Sequence, residues 1–180
     1  MAEVFSNSLT RAVGIVTTNS AGAIGVTTNK ITGISTVGVT LGDIVDNTNY
    51  LAGTKISTIG AGEVVVDRNS TNTASASSQS VKFLGVTSCY TAPTASTKAI
   101  LIGGTFANNT LNSVNLTVEI YDNSASVAAQ LASKIPVPSG SSFVISDAGK
   151  TVLESQDVIR VYCDTSNAID VNMSILTGVS

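Results

Sequence analysis

The sequence contains no histidine and no tryptophan, and both absences restrict what the protein can do. Histidine is the usual general base, proton shuttle and metal ligand near neutral pH, so most hydrolase and metalloenzyme sites lose their commonest residue. Aromatic residues make up only 4% of the 180 residues, which leaves little surface for stacking against bases or sugars. These absences favour a structural or binding protein over an enzyme.

Charge is scarce as well. The chain has 9 Lys+Arg and 12 Asp+Glu, or 12% charged residues, where roughly 25% is usual. This excludes disorder driven by charge, and it leaves no basic stripe that would neutralise nucleic-acid phosphates. Polar residues interrupt every hydrophobic stretch, and residues 1–11 lack the basic segment of a signal peptide. We therefore expect no nucleic-acid partner and no membrane partner.

The residues that are abundant favour β-structure. Val, Ile and Thr dominate, with Gly and Asn between them, and β-branched side chains suit a pleated sheet. Residues 114–121 alternate between apolar and polar side chains, which predicts a half-buried strand. The same alternation in residues 157–163 and 168–176, joined by turn residues 164–167, predicts a hairpin. No segment predicts a helix.

Turn residues and composition divide the chain into four segments. Residues 70–80 are small and polar without apolar periodicity, which is typical of a linker or exposed loop. Regularly spaced strands after this segment, with turns at 136–140 and 154–157, indicate an antiparallel β-sandwich of the jelly-roll type. The predicted fold class is all-β, a small N-terminal β-module followed by this sandwich. The segments are an N-terminal arm (1–12), the small β-module (13–69), the Ser/Thr-rich linker or loop (70–80) and the sandwich (81–180).

Cys89 and Cys163 are the first candidates for chemistry. They lie far apart in the sequence and lack the spacing of metal ligands. Two buried, reduced thiols in strands are expected, because free cysteine behaves as a small hydrophobic residue. A disulfide between them and a reactive thiol stay open as alternatives.

Two clusters of acid and amide residues are the next candidates. Either could hold Ca²⁺ through oxygen ligands, but neither has the spacing of a calcium loop, and such residues are ordinary in turns. The clusters are Asp43, Asp46, Asn47 and Asn49, and Asp164, Asn167 and Asp170. Gly149, Lys150 and Thr151 suggest a phosphate-binding loop, but position 144, where its first glycine would stand, is Val. We assign no catalytic, cofactor-binding or metal-binding residue, expect no cofactor, and expect that the protein is not an enzyme.

Two groups of short sequence segments resemble proteins of tailed-phage particles. Residues 39–73 resemble a small β-module that recurs in tailed-phage virion proteins, and their sequence is most similar to that of virion proteins of marine cyanobacterial phages. The segments are VTLGDIV (39–45), LAGTKISTIG (51–60), EVVVD (63–67) and STNT (70–73). Three later segments resemble a β-sandwich of phage structural proteins. They are CYTAP (89–93), KIPVPSG (134–140) and VLESQDVIRV (152–161).

The resemblance implies an accessory structural protein of a tailed bacteriophage, a capsid decoration (cement) protein or a neck protein. Its partners would be copies of itself, as a homotrimer by analogy with phage decoration and spike proteins, and capsid or neck and tail proteins. Its location would be the virion, assembled in the host cytoplasm. The alternative is a host-recognition module of a tail fibre or adhesin. We expect the arm and the N-terminal module to anchor the protein, because a module of this size offers strand edges to a neighbour.

Overall fold

The computed structural model describes residues 3–94, 98–146 and 151–179. Within these ranges the chain is all-β, with fifteen strands in three antiparallel sheets and no helix. The strands are β1 (Val4–Val13), β2 (Ile15–Ile24), β3 (Lys30–Thr32), β4 (Ile44–Asp46), β5 (Ile56–Gly60), β6 (Glu63–Val66), β7 (Ala76–Gly85), β8 (Thr87–Thr91), β9 (Lys98–Asn108), β10 (Val114–Asp122), β11 (Val127–Val137), β12 (Ser142–Ile145), β13 (Thr151–Leu153), β14 (Val158–Cys163) and β15 (Ile169–Val179).

The strands divide into two compact units. The larger unit combines the chain up to Gly14 with the chain from Thr87 onward, and the smaller unit is Ile15–Val86. The smaller unit is therefore an insertion between β1 and β8 of the larger one. Each unit has its own hydrophobic core.

The larger unit is a jelly roll, which its nested strand pairing defines. The first strand pairs with the last (β1 with β15), and β8 pairs with β14. Further in, β9 pairs with both β12 and β13, and β10 pairs with β11. The five-stranded sheet has the order β1-β15-β9-β12, with β13 also on β9, and the four-stranded sheet has the order β11-β10-β14-β8. Because β12 and β13 share one position beside β9, each sheet has four strand positions. Two such sheets with this pairing form the double Greek key of a jelly roll.

Apolar residues on the facing sides of the two sheets form the core of the jelly roll. The alternation predicted for residues 114–121 is confirmed for the inner face, where Val114, Leu116 and Val118 are fully buried. The other face is not exposed throughout, because Thr117 and Glu119 are buried as well. β15 contributes Met173 and Ile175 from the opposite sheet. Burying one such side chain stabilises the fold by about 1.5–3 kcal/mol, so this unit retains a core without the insertion.

The smaller unit is a closed six-stranded sheet of the order β4-β7-β2-β3-β6-β5. Its two end strands are joined by a bridge between Ile44 and Lys55, with backbone bonds from Val45 N–H to Thr54 O (2.8 Å) and from Ile56 N–H to the Asp43 carbonyl (2.9 Å). The sheet therefore closes on itself as a small barrel. The expectation that this module offers strand edges to a neighbour was wrong, because its end strands pair with each other and closure removes edges.

The structure divides the chain differently from the sequence prediction at three places. Residues 81–86, expected in the sandwich, belong to the smaller unit. Residues 4–12, expected within the arm (1–12), form β1 of the jelly roll together with Val13, which was expected in the small β-module. Part of the expected linker, from Ala76 onward, is the start of β7, which pairs with β2. Small polar side chains separate the apolar residues in the latter two segments and hide the pattern, while backbone hydrogen bonds to the neighbouring strand hold each segment in place.

The predicted hairpin of residues 157–176 was also wrong. β14 belongs to the four-stranded sheet and β15 to the five-stranded sheet, so residues 164–167 cross from one sheet to the other. The two predicted turns are confirmed: Ser141 N–H bonds the Pro138 carbonyl, and Asp157 N–H bonds the Glu154 carbonyl, each at 3.2 Å.

Candidate functional site

The outer edge of β1 is the main candidate for an interaction site. β1 pairs with β15 without a register shift from Val4 to Thr10, and no strand in the part of the chain that the structure describes pairs with its other edge. These seven residues include no charge and no proline. An edge of this length presents unpaired backbone donors and acceptors that a further strand can bind.

Other end strands of the jelly roll carry the features that protect sheet edges. β11 has two register shifts against β10, a left-handed residue at Lys134 (φ 47°) and a proline at Pro136. β8 is five residues long, and β12 and β13 are four and three residues long. Bulges, lysines, prolines and short strands all discourage edge pairing. β1 is thus the long edge that its own sequence leaves unprotected.

The outer face of β1 is apolar at two positions. Phe5 is 73% exposed and Leu9 is 70% exposed. Phe5 also begins a row of apolar side chains across the five-stranded sheet, because it lies opposite Leu176, which lies opposite Ile100, which lies opposite Val152. Phe5 and Val152 are exposed, and the two residues between them are partly exposed. An apolar row that ends at an open sheet edge is typical of a surface that another protein covers.

Charged residues flank the two apolar positions. Glu3 is exposed directly before β1, and the Arg11 side chain is 90% exposed near its end. The Arg11 Nε atom lies 4.0 Å from Asp170 Oδ2, an exposed ion pair of little energetic value. Asp170 Oδ1 accepts a bond from Ala12 N–H (2.8 Å), which lowers the pKa of this carboxyl.

A second cluster lies on the four-stranded sheet. Glu119 and Arg160 form an ion pair between β10 and β14, and the Glu119 side chain is 2% exposed. The Arg160 guanidinium carbon lies 4.2 Å from the centre of the Tyr121 ring. Gln130 Nε2 donates to Tyr162 Oη (3.1 Å), and burial, followed by the charge of Glu119, raises the pKa of Tyr162 to about 12. Because these groups bind each other across β11, β10 and β14, the cluster stabilises the sheet.

The two cysteines are free and buried in the jelly-roll core, as expected. Burial raises the pKa of each thiol to about 11. Cys163 Sγ also lies 3.1 Å from the Thr165 carbonyl. A thiolate is the reactive form of cysteine, so a raised pKa and burial both oppose a reactive role.

The acid and amide clusters serve as turn residues. Asp43 accepts bonds from the N–H (2.8 Å) and hydroxyl (2.6 Å) of Thr40, and Asn47 Oδ1 accepts a bond from Asn49 N–H (2.8 Å). Asp164 accepts two bonds from Asn115 (3.0 and 2.7 Å).

No group of three metal-ligating side chains occurs in residues 3–94, 98–146 and 151–179. Nor do these residues contain a helix long and apolar enough to cross a membrane. Gly149 and Lys150 lie outside the described residues.

Sequence reasoning missed the β1 edge. Its signal was present in the spacing of Phe5 and Leu9, an even number of residues apart, which places both on one face of an extended strand. Small polar residues between them hid the pattern.

No protein-family profile matches the chain, and no curated protein matches it. Among solved structures, the infectious bursal disease virus Gx strain matches with a TM-score of 0.31 and 10% identity, over 94% of this chain and 57% of that one. The Gt strain matches with a TM-score of 0.24 and 10% identity, over 95% and 57%. An isomalto-dextranase of Arthrobacter globiformis T6, in complex with panose, matches with a TM-score of 0.25 and 15% identity, over 91% and 34%. The chain thus spans little more than half of the viral chains, and likenesses this low carry no argument about function.

Proposed function

We infer that this chain is a non-enzymatic structural protein of a virion. The observation that carries the inference is the nested strand pairing of a jelly roll together with a long, unprotected strand edge at β1. Jelly rolls recur in capsid proteins and in lectins, and an open edge suits a protein that works by assembling with others.

The specific role that we propose is an accessory protein of a tailed-phage particle, a capsid decoration protein or a neck protein. This role rests on the resemblance of residues 39–73 and 89–161 to phage virion proteins. The protein would associate with copies of itself, as a homotrimer by analogy, and dock on capsid or neck and tail proteins, without nucleic acid, membrane or cofactor. It would be assembled in the host cytoplasm and reside in the virion.

The proposal that the protein is not an enzyme is supported by how its titratable side chains are used. Asp43, Asp164 and Asp157 each accept bonds that hold turns or strand ends, and both thiols are buried. Glu119, the most buried acid among the described residues of the jelly roll, is paired with Arg160.

The alternative is a host-recognition module that binds a surface glycan. One observation favours it: Tyr121 is partly exposed on the four-stranded sheet, and an aromatic ring at a surface can stack against a sugar. A Tyr121→Ala variant that loses binding to host cells while still joining particles would support this alternative.

The deciding experiment is an averaged image of the intact particle whose genome encodes the chain, compared with particles that lack it. Density for a jelly roll on the head or neck, missing from the deletion particles, would support the proposed role. Density at the tip of a fibre would support host recognition, and absence of the chain from purified particles would refute both.

A further inference from the structure

We propose that β1 is a two-fold contact between copies of this protein. β1 of one copy pairs antiparallel with β1 of a second copy, about an axis that passes beside Asn7 perpendicular to the sheet. The two five-stranded sheets then form one continuous sheet. The proposal concerns the self-association in the proposed function and gives it a two-fold contact in place of the homotrimer proposed by analogy. It rests on the strand alone and holds whether or not the protein joins a particle.

The outer face of β1 is its own complement. In chain order it carries an acid (Glu3), an apolar residue (Phe5), an amide (Asn7), an apolar residue (Leu9) and a base (Arg11). In an antiparallel pair centred on Asn7, residues equally distant from Asn7 lie opposite each other. Phe5 of each copy therefore meets Leu9 of the other, and Glu3 of each copy meets Arg11 of the other. Apolar pairs and opposite charges directly across an antiparallel pair are both stabilising.

Neighbouring registers lack this complementarity. The axis must preserve the outer face, because a two-fold perpendicular to the sheet relates outer side chains only to outer side chains. Moving the axis one residue toward Arg11 places Phe5 opposite Arg11. Moving it one residue the other way places Leu9 opposite Glu3. Each shift sets a charge against an apolar side chain, so the pattern selects the register centred on Asn7.

The pairing also extends the apolar row across the new sheet. In one copy the row runs from Val152 through Ile100 and Leu176 to Phe5. Leu9 of the second copy lies opposite Phe5 and so continues the row. By symmetry, Leu9 of the first copy continues the row of the second copy. Two exposed residues on each copy thus pack against apolar residues of the other copy at one contact, which an unrelated strand would achieve only with matching apolar positions and reversed charges. A second copy of this chain is therefore the occupant that the edge fits.

Structure at the two ends limits the length of the contact. The register of β1 shifts against β15 after Thr10, and Ala12 is left-handed (φ 56°). A shift of this kind twists a strand away from further pairing. Regular backbone pairing is therefore confined to residues 4–10, and Glu3 and Arg11 meet just beyond its two ends.

Disulfide trapping of the full-length protein tests the register. Asn7→Cys places two thiols opposite each other across the axis, at a separation of about 5 Å between Cβ atoms, which a disulfide spans. We expect covalent dimers within minutes of mild oxidation. Ser174→Cys is the matched control, because Ser174 lies opposite Asn7 on β15 and its two copies would be about 14 Å apart at three strand spacings. Phe5→Cys is the register control, because its copies would be offset by about 14 Å along the strands.

The native thiols do not interfere, because Cys89 and Cys163 are buried. Trapping of Asn7→Cys at the rate of either control would overturn the proposal, and so would faster trapping of Phe5→Cys than of Asn7→Cys.

A charge exchange tests the ends of the contact without touching the core. Glu3→Arg and Arg11→Glu each set like charges opposite each other twice per dimer, and we expect each to weaken the dimer by about three- to tenfold. The double variant restores opposite charges and should return the dissociation constant to within about threefold of the original. Sedimentation of the unmodified protein should show an even number of chains. A monomer at micromolar concentration, a trimer, or a double variant weaker than both single variants would overturn the proposal.

Discussion

Ser8 Oγ donates a hydrogen bond to the backbone carbonyl of Cys89 at 2.8 Å. The bond joins β1, the end strand of the five-stranded sheet, to β8, the end strand of the four-stranded sheet. It ties the first strand of the chain to a segment that follows the whole inserted barrel. The N-terminal residues are thereby part of the jelly roll, and β1 still exposes its outer face and its other edge.

The two units should differ in their ability to fold when expressed separately. Residues 15–86 form a closed sheet with its own core, so we expect cooperative unfolding and a β-type circular dichroism spectrum. Residues 87–180 lack β1 and leave the edge of β15 open, so we expect aggregation or a loss of cooperativity. Linking residues 3–14 to this fragment should restore folding. A soluble, cooperative fragment without β1 would contradict the prediction.

Core packing of the jelly roll can be tested with two leucines close in sequence. Leu116 is 0% exposed and Leu111 is 92% exposed. Leu116→Ala should lower the free energy of unfolding by about 2–5 kcal/mol, because it removes buried methyl groups and leaves a cavity. Leu111→Ala should change it by less than about 0.5 kcal/mol. Urea denaturation of both variants measures the difference, and equal effects would argue against the assigned core.

Removing one partner of the ion pair between Glu119 and Arg160 should lower the free energy of unfolding more than replacing both partners by uncharged residues. Arg160→Met leaves a buried carboxylate without its cation, and we expect a loss of about 3–5 kcal/mol. Glu119→Gln with Arg160→Met removes both charges and should recover part of that loss. A double-mutant cycle by chemical denaturation gives the coupling energy. A coupling near zero would mean that the pair behaves as an exposed one.

Buried thiols should make the protein less stable in alkali. The pKa of each cysteine is raised from 9.0 to about 11, so the unfolded chain loses these protons before the folded chain does. The folded state binds more protons between these values, and stability therefore falls as the pH rises from about 9 to 11. Each thiol contributes on the order of 2 kcal/mol to this loss.

Denaturation curves at pH 8 and pH 10 measure the effect. The Cys89→Ala and Cys163→Ala variants, each compared with its own stability at pH 8, should lose less on the change to pH 10. A dependence equal to that of the unmodified protein would assign the alkaline loss to other groups, such as the buried hydroxyl of Tyr50, whose pKa burial raises to about 12.

Side-chain order by itself determined that the segments with regular alternation, such as β10, are strands. The period-two alternation of Val114, Leu116 and Val118 is a local property, and an extended backbone places such residues on one face wherever the strand lies. The turns at Pro138 and Gln156 were predictable for the same reason, because turn residues act through their own backbone conformation. The all-β class and the jelly-roll type followed from many such segments.

Tertiary structure alone decided which strands pair. β14 and β15 are adjacent in sequence yet lie in different sheets, and β1 finds its partner at the far end of the chain. It also decided that Thr117 and Glu119, on the face predicted to be polar and exposed, are buried, since Arg160 on the neighbouring strand pairs with Glu119. Strand pairing depends on backbone groups that every residue carries, so the sequence of one strand does not specify which strand pairs with it. The open edge of β1 can be identified only from the complete strand pairing, in which no other described strand bonds that edge.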